Sequence, residues 1–171
     1  MTFDQQFPPP LAALNALDFD YADGEGIDFE PYQEFQSADD NASWFRSWTG
    51  NPELTGGEYR VFGQDGTGGY AAFWMVRDGA AVLDQPIVFF GSEGELGVVA
   101  SSFTDYLWLL AAGVGPLEAQ SYDASSAYAP QPELAELAEA TGGAPKLAGE
   151  VLAAAAAEFP DFEATVRAQC R

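Results

Sequence analysis

Short runs of β-branched and aromatic residues alternate with glycine-rich turns in the middle of the chain. A turn with three closely spaced glycines, 64–69, separates the first two runs, and an acidic turn, 92–95, separates the last two. β-branched and aromatic residues favour strands, whereas glycine and aspartate favour turns. The pattern predicts a four-stranded antiparallel meander, and its runs are 58–63, 70–76, 86–91 and 96–100.

A helix is predicted directly after the meander. Ser102 and Asp105 have the spacing of a capping box, in which each side chain accepts from the backbone N–H of the other residue. Trp108 and Leu109 add apolar side chains outside the main stripe, so this helix is expected to be deeply buried and to end at Gly113. The main stripe has helical spacing and consists of Phe103, Tyr106, Leu107 and Leu110.

Two more helices are predicted before the meander. Pro10 suits the first position of a short helix with Leu11, Leu14 and Leu17 on one side. A second helix is predicted over 41–48, after a capping box formed by residues 37–40. Its apolar face carries Trp44, Phe45 and Trp48.

Three alanine-rich helices are predicted in the last third of the chain. The first covers about 132–141, the second starts near Pro145, and the third follows Pro160. Cys170 is expected on the apolar side of the third helix, together with Phe162 and Val166. The inward residues of the first two helices are Leu134, Leu137, Ala138, Ala148, Val151, Leu152 and Ala155.

These elements predict an α+β fold in one domain that covers residues 1–171. Its sheet is mainly antiparallel, has four or more strands and is flanked by helices. An acidic N-terminal segment and a helix occupy 18–57, the sheet and the capped helix occupy 58–116, and a helical C-terminal tail occupies 132–170. A hydrophobic content of 47% over 171 residues is enough for one such core.

Composition excludes several kinds of chemistry. The chain has no histidine, which removes the commonest general base and the commonest transition-metal ligand. Its single cysteine excludes an internal disulfide and a cysteine-based metal site. The first residues lack the basic leader and apolar core of a signal peptide, and no apolar run approaches the roughly 20 residues that span a bilayer. We therefore expect a cytoplasmic protein without cofactor or metal.

The net charge of −21 is extreme for a chain of this length. It argues against direct contact with nucleic acid or an anionic membrane, because both require positive charge. Any macromolecular partner is expected to be basic, and the alternative is that acidity only maintains solubility. An acidic stripe without Lys or Arg contains Asp18, Asp20, Asp23, Glu25, Asp28, Glu30, Glu34, Asp39 and Asp40.

Two alternative functions, calcium binding and glycoside hydrolysis, would also use carboxylates of this chain. Residues 18–24 are similar to a calcium-binding loop, but Ala22 and Asp23 occupy the positions where an EF-hand needs a ligand and a glycine. A pair of carboxylates can also hydrolyse a glycosidic bond, and four acidic residues near predicted strand ends are candidates for that role. They are Asp65, Asp105, Glu93 and Glu95.

Three runs of the sequence, Val61–Trp74, Pro86–Glu95 and Val98–Leu107, together resemble the SUKH superfamily, which includes the Smi/Knr regulator of yeast cell-wall synthesis and bacterial immunity proteins. The likeness covers about residues 58–116. It implies an α+β fold and, in bacterial members, neutralisation of a toxin, often a nuclease, in the cytoplasm. The acidic segment and the alanine-rich tail depart from the simpler members.

The combined prediction is a non-enzymatic, immunity-type binding protein whose partner is a basic protein toxin. Carboxylates at loops and turns are expected to meet Lys and Arg of the toxin. A regulatory or scaffold module of the same fold is the alternative, followed by a carboxylate hydrolase or a calcium-binding protein. The six residues predicted to contact the partner are Asp20, Asp23, Glu25, Asp65, Glu93 and Glu95.

Overall fold

The computed structural model describes residues 3–171. The strands are β1 (Glu30–Pro31), β2 (Tyr59–Gln64), β3 (Tyr70–Trp74), β4 (Ile87–Phe90) and β5 (Leu96–Ala100). The α-helices are α1 (Pro9–Asn15), α2 (Ala38–Thr49), α3 (Phe103–Ala111), α4 (Pro132–Ala140), α5 (Ala148–Glu158) and α6 (Phe162–Arg167). Short 3₁₀ turns lie at Ala22–Gly24, Val82–Asp84 and Glu118–Ser121. The predicted α+β class is confirmed.

The strands form one antiparallel sheet in the order β1-β2-β3-β4-β5. The predicted four-stranded meander is therefore confirmed, and the acidic stripe adds β1 at its edge. In this pairing Glu30 lies opposite Gln64. Gly63 must be a glycine here, because a Cβ at that position would lie 2.3 Å from Cζ of Phe29. The missing side chain lets the acidic stripe approach the sheet closely.

Each face of the sheet is covered by helices, because alternate residues of the strands are apolar on both faces. One face shares a hydrophobic cluster with α1, α3, α4 and α5, and its strand residues are Phe62, Ala71, Phe73, Ile87, Phe89, Val99 and Ala100. The other face packs against α2 and α6, and its strand residues are Tyr59, Val61, Ala72, Val88, Phe90 and Leu96.

Helix α3 begins as predicted, but only half of the predicted capping box forms. Oγ of Ser102 accepts from the backbone N–H of Asp105 at 3.3 Å. The Asp105 carboxylate accepts from Nζ of Lys146 at 2.7 Å instead of reaching back. Lys146 lies just before α5, and its ammonium group is a stronger hydrogen-bond donor to a carboxylate than a backbone N–H is. Local sequence patterns do not reveal this long-range contact.

The three predicted C-terminal helices are present and belong to the main body of the fold. Backbone N–H of Arg171 donates to the carbonyl of Thr49 at 3.0 Å, which ties the C-terminus to the end of α2. The prediction for Cys170 is wrong, because α6 ends at Arg167 and the cysteine is exposed beyond it. Leu17 likewise lies past the end of α1 at Asn15.

No helix within residues 3–171 has both the length and the apolar character needed to cross a bilayer.

Candidate functional site

An open groove of about 820 Å³ lies between α2 and the segment 31–37. It exposes a part of the sheet that α2 leaves uncovered. We call it the aromatic groove, and its lining consists of Gln5, Pro31, Tyr32, Gln33, Glu34, Phe35, Gln36, Ser37, Asp40, Ser43, Trp44, Ser47 and Tyr70.

Helix α2 supplies one wall of the aromatic groove. Half of the predicted capping box forms, since Oγ of Ser37 accepts from the backbone N–H of Asp40 at 3.1 Å. The Asp40 carboxylate accepts from the Ser37 hydroxyl at 2.7 Å and not from the Ser37 backbone N–H. Helical periodicity then places Asp40, Ser43 and Ser47 on one exposed side, next to the half-buried Trp44. The Trp44 ring meets the Tyr70 ring edge to face, with centroids 5.0 Å apart. This packing fixes the position of the indole.

The segment 31–37 supplies the opposite wall, and buried polar contacts hold it in place. The backbone N–H of Tyr32 donates to the carbonyl of Phe62 at 3.1 Å. Nδ2 of the buried Asn15 donates to the carbonyls of both Tyr32 and Phe62 at 2.9 Å. The wall is therefore anchored to the sheet edge although β1 itself has only two residues.

Tyr32 places a neutral phenol in the groove. Its hydroxyl donates to Oε1 of Gln64 at 2.8 Å, and Nε2 of Gln64 donates to Glu30 at 2.8 Å. Burial raises the pKa of Tyr32, and the neighbouring Tyr70 and Glu30 raise it further. The phenol thus stays protonated at every physiological pH.

Both charged residues in the lining of the groove are acidic. Glu34 and Asp40 belong to its lining, which contains no Lys or Arg. Residues 3–45 also contain no Lys or Arg, and none of their carboxylates forms an ion pair within the described chain. These carboxylates belong to Asp4, Asp18, Asp20, Asp23, Glu25, Asp28, Glu30, Glu34, Asp39 and Asp40.

Most basic side chains of the protein form their contacts outside residues 3–45. Four of them form ion pairs, which are Arg77–Glu158, Lys146–Asp105, Arg167–Glu163 and Arg171–Glu53. Arg46 donates to the carbonyl of Leu54 at 2.8 Å. Arg60 donates to the carbonyl of Gly57 at 2.7 Å and stacks over the ring of Phe3. No ion pair within the described chain therefore involves a carboxylate of residues 3–45.

Three of the predicted partner-binding residues lie together on an exposed loop. Asp20, Asp23 and Glu25 are all solvent-exposed, around the 3₁₀ turn Ala22–Gly24. Oδ1 of Asp20 accepts from the backbone N–H of Ala22 at 2.9 Å. Their carboxylates are accessible to another macromolecule.

Glu93 and Glu95 lie on the turn between β4 and β5. Glu93 is exposed, whereas Glu95 is half-buried and its Oε2 accepts from the backbone N–H of Glu93 at 3.2 Å. Oγ of Ser92 donates to Oγ1 of Thr67 at 3.2 Å, so this turn touches the turn between β2 and β3. The two turns form one end of the sheet, and Glu93 is its most accessible predicted residue.

The structure corrects the assignment of Asp65 to a partner-binding surface. Asp65 is only 1% exposed. Its Oδ1 accepts from the backbone N–H groups of Thr67 and Gly69 at 3.0 and 2.8 Å and from the Thr67 hydroxyl at 2.7 Å. The glycine-rich turn needs an internal acceptor for these donors, so the carboxylate points inward.

Asp65 belongs to a group of carboxylates that repel one another. Burial raises the pKa of Glu118, and the neighbouring Asp28 and Asp65 raise it further, against a backbone hydrogen bond that lowers it. Oε2 of Glu118 and Oδ2 of Asp65 are buried and have no hydrogen-bond partner in the described chain, and the same holds for the hydroxyl of Tyr106. Ionised Glu118 therefore costs folding free energy.

Replacing Glu118 with glutamine is expected to stabilise the protein at neutral pH. A carboxyl whose folded pKa is raised binds more protons in the folded state, so stability falls as pH rises from the ordinary glutamate pKa through the raised one. The E118Q variant has no ionisable group at position 118, so its stability should not fall with rising pH for this reason. Urea unfolding at several pH values should show a flatter profile for E118Q than for the unchanged protein, with Glu139→Gln on exposed α4 as control. Parallel profiles for E118Q and the unchanged protein would contradict the assignment.

The structure places two of the four candidate carboxylates for glycoside hydrolysis in enclosed positions. No group of three or more His, Cys, Asp or Glu residues within 3–171 is arranged to hold a metal ion. Of the four candidates for glycoside hydrolysis, Asp65 is enclosed in its turn and Asp105 is 7% exposed and paired with Lys146. Neither can act on an external substrate without unfolding its surroundings.

The aromatic groove was not predicted from the sequence. The helical pattern places Trp44 and Trp48 on an apolar face and Trp108 in a buried helix, and Trp108 fits this at 7% exposure. Trp48 donates from Nε1 to the carbonyl of Gly91 at 2.9 Å, while Trp44 has both a packed side and a side that lines the groove. The feature of the sequence that could have indicated the groove is the polar stripe of Asp40, Ser43 and Ser47 beside Trp44.

Compared with models of protein families, with curated proteins and with solved structures, the chain matches none of them.

Proposed function

We propose that this chain is a non-enzymatic, immunity-type protein that binds and neutralises a basic protein toxin in the cytoplasm. A nuclease is the toxin class that fits best, because a surface that holds nucleic-acid phosphates must be basic. An acidic protein on that surface excludes the substrate.

The observation that carries this proposal is the unpaired negative charge of residues 3–45. Ten carboxylates of this segment have no ion-pair partner within the described chain, and four of the six Lys and Arg side chains form ion pairs with carboxylates outside the segment. Such a field attracts a cationic protein over a Debye length of about 8 Å at physiological salt and speeds association. The exposed loop with Asp20, Asp23 and Glu25 is well placed for the first encounter.

The resemblance of residues 58–116 to SUKH proteins supports the same proposal. A regulatory or scaffold module of that fold is the second candidate. The open aromatic groove favours it, because aromatic-lined grooves of regulatory domains bind extended peptide segments. A toxin gene next to the gene for this chain would favour immunity, and a cell-wall or regulatory operon would favour the second candidate.

Association with the toxin is expected to depend steeply on salt. Between about 50 and about 500 mM NaCl, affinity should fall at least about tenfold, mainly through the association rate. The double variant Asp20→Lys, Glu93→Lys should associate at least about threefold more slowly than the unchanged chain. Stopped-flow kinetics would measure this with the basic protein that co-purifies with the chain, and inhibition of that protein's activity would test neutralisation.

Two controls make this test specific. The double variant Glu136→Lys, Glu139→Lys makes the same change in net charge on exposed positions of α4, and it should slow association less. Polylysine provides a non-specific reference for binding by charge alone. Salt-independent binding, or equal rates for the two double variants, would contradict the proposal.

A further inference from the structure

We infer that the aromatic groove binds an arginine-bearing, extended segment of the basic partner. This inference rests on the proposed function only in taking the partner to be a basic protein. It adds a specific site and a specific side chain to an attraction that is otherwise spread over the surface.

The aromatic lining suits a guanidinium group. Tyr32, Trp44 and Tyr70 present rings to one open space of about 820 Å³. Arginine is planar and weakly hydrated, so it stacks on aromatic rings more readily than lysine does. The rings are held in place, since Trp44 packs edge to face on Tyr70 and also on Phe90, with centroids 5.0 and 5.1 Å apart. A rigid receptor loses little entropy when it binds.

The polar lining also matches a cation. Glu34 and Asp40 supply carboxylates at the edge of the groove, and the exposed Ser43 and Ser47 supply hydroxyl oxygens. A guanidinium has five N–H donors and no acceptor, so it needs an acceptor-rich surrounding of this kind. The side chains of Ser43 and Ser47 form no hydrogen bond within the described chain that would compete, whereas Ser37 is used to cap α2.

The charge of the groove favours an arginine over a carbohydrate, which is another ligand that stacks on aromatic side chains. A sugar stacks on similar rings, but it is neutral and gains nothing from a negative field. The lining has two carboxylates and no Lys or Arg, and it opens from the segment that contains no basic residue before Arg46. Charge complementarity therefore assigns the groove to a cation.

The size of the groove indicates a short peptide segment. Its volume lies in the range of sites that bury a drug-sized ligand, which spans roughly 300–1,000 Å³. A segment of several residues fits in such a space, with one arginine side chain against the aromatic rings. The rest of the partner would lie outside, over the acidic stripe.

Nuclear magnetic resonance with ¹⁵N-labelled protein would test the site directly. The probe is the capped peptide acetyl-Gly-Arg-Arg-Gly-amide, and the comparison peptides carry two lysines or two glutamines in place of the arginines. We expect the arginine peptide to shift signals of 32–37, 40–47 and Tyr70, with affinity at least about threefold higher than for the lysine peptide. Largest shifts at 18–26 or at 91–95, or equal affinity for arginine and glutamine peptides, would overturn the inference.

A matched set of lysine substitutions tests the same site. Ser43→Lys and Ser47→Lys each place an ammonium group in the groove. Both should lower the affinity for the arginine peptide at least about fivefold, since each adds a like charge at the site. Ser126→Lys makes the same change on an exposed loop away from the groove and should weaken it less than about twofold. Equal effects of the three substitutions would mean binding by net charge alone and would overturn the inference.

Two further arms keep the alternatives separate. Maltohexaose and chitohexaose should leave the groove signals unchanged, and groove shifts with either sugar but not with the arginine peptide would overturn the inference in favour of a carbohydrate. Failure of the proposed function has a different signature. If the arginine peptide binds in the groove but no basic protein associates in a salt-dependent manner, the groove site is supported and the toxin role fails. If a basic protein associates in a salt-dependent manner but the arginine peptide does not bind in the groove, the toxin role is supported and the groove site fails.

Discussion

Replacing Phe90 with alanine is expected to lower the free energy of unfolding by about 3–5 kcal/mol. Phe90 is fully buried on the α2 side of the sheet. Its ring contacts five aromatic rings with centroids 5.0–6.0 Å away, those of Trp44, Phe45, Trp48, Tyr59 and Phe162. Deleting it removes the shared contact of β2, α2 and α6 and leaves a cavity that rigid neighbours cannot fill.

Urea unfolding followed by far-ultraviolet circular dichroism would measure the loss. Phe90→Leu keeps most of the volume and should cost only about 1–2 kcal/mol. Val76→Ala, at a position that is 39% exposed, should change stability by less than about 0.5 kcal/mol. A loss below about 1 kcal/mol for F90A would show that the three elements are not packed around this ring.

The same substitution should also disturb the aromatic groove. Trp44 lines the groove on one side and packs on Phe90 on the other, so the cavity frees the indole to change rotamer. We expect weaker binding of the arginine peptide to F90A under conditions in which the variant is still folded. The Leu variant should retain more of the affinity, because it keeps the support below the indole.

The second large effect is expected at Asp65, where alanine and asparagine should differ. Alanine removes the acceptor of three hydrogen bonds in the glycine-rich turn, including that of the buried Gly69 N–H, and should cost about 2 kcal/mol. Asparagine keeps an oxygen at Oδ1 and replaces the carboxylate oxygen Oδ2, which has no partner, with an NH₂ group. It also removes a carboxylate that raises the pKa of Glu118. Asp65→Asn should therefore change stability by less than about 1 kcal/mol.

The two Asp65 variants also separate a structural role from a role in binding. Thermal and urea unfolding give the stability difference, and stopped-flow kinetics with the basic partner give the association rate. Because the carboxylate is enclosed, Asp65→Asn should associate within about twofold of the unchanged protein, unlike the variant with lysines at Asp20 and Glu93. A large loss of rate in D65N with unchanged stability would restore Asp65 to the binding surface.

The amino-acid sequence alone determined four of the five strands and the six α-helices of the described chain, and the excess of negative charge. Runs of β-branched and aromatic residues between glycine turns specified the meander, and helical stripes with Ser37 and Ser102 caps specified α2 and α3. The absence of histidine and the excess of carboxylates followed directly from counting. These properties depend on neighbouring residues or on composition, so no long-range contact was needed to find them.

Tertiary structure decided which carboxylates face solvent and where a ligand has room. Asp65 and Glu93 follow strands in the same way, yet one turns inward to satisfy backbone donors and the other is exposed. Asp105 meets Lys146 across 41 positions of the chain, and Trp44 meets Tyr70 only because α2 crosses the sheet. Burial and cavities depend on how distant elements pack, and a local pattern carries no information about that packing.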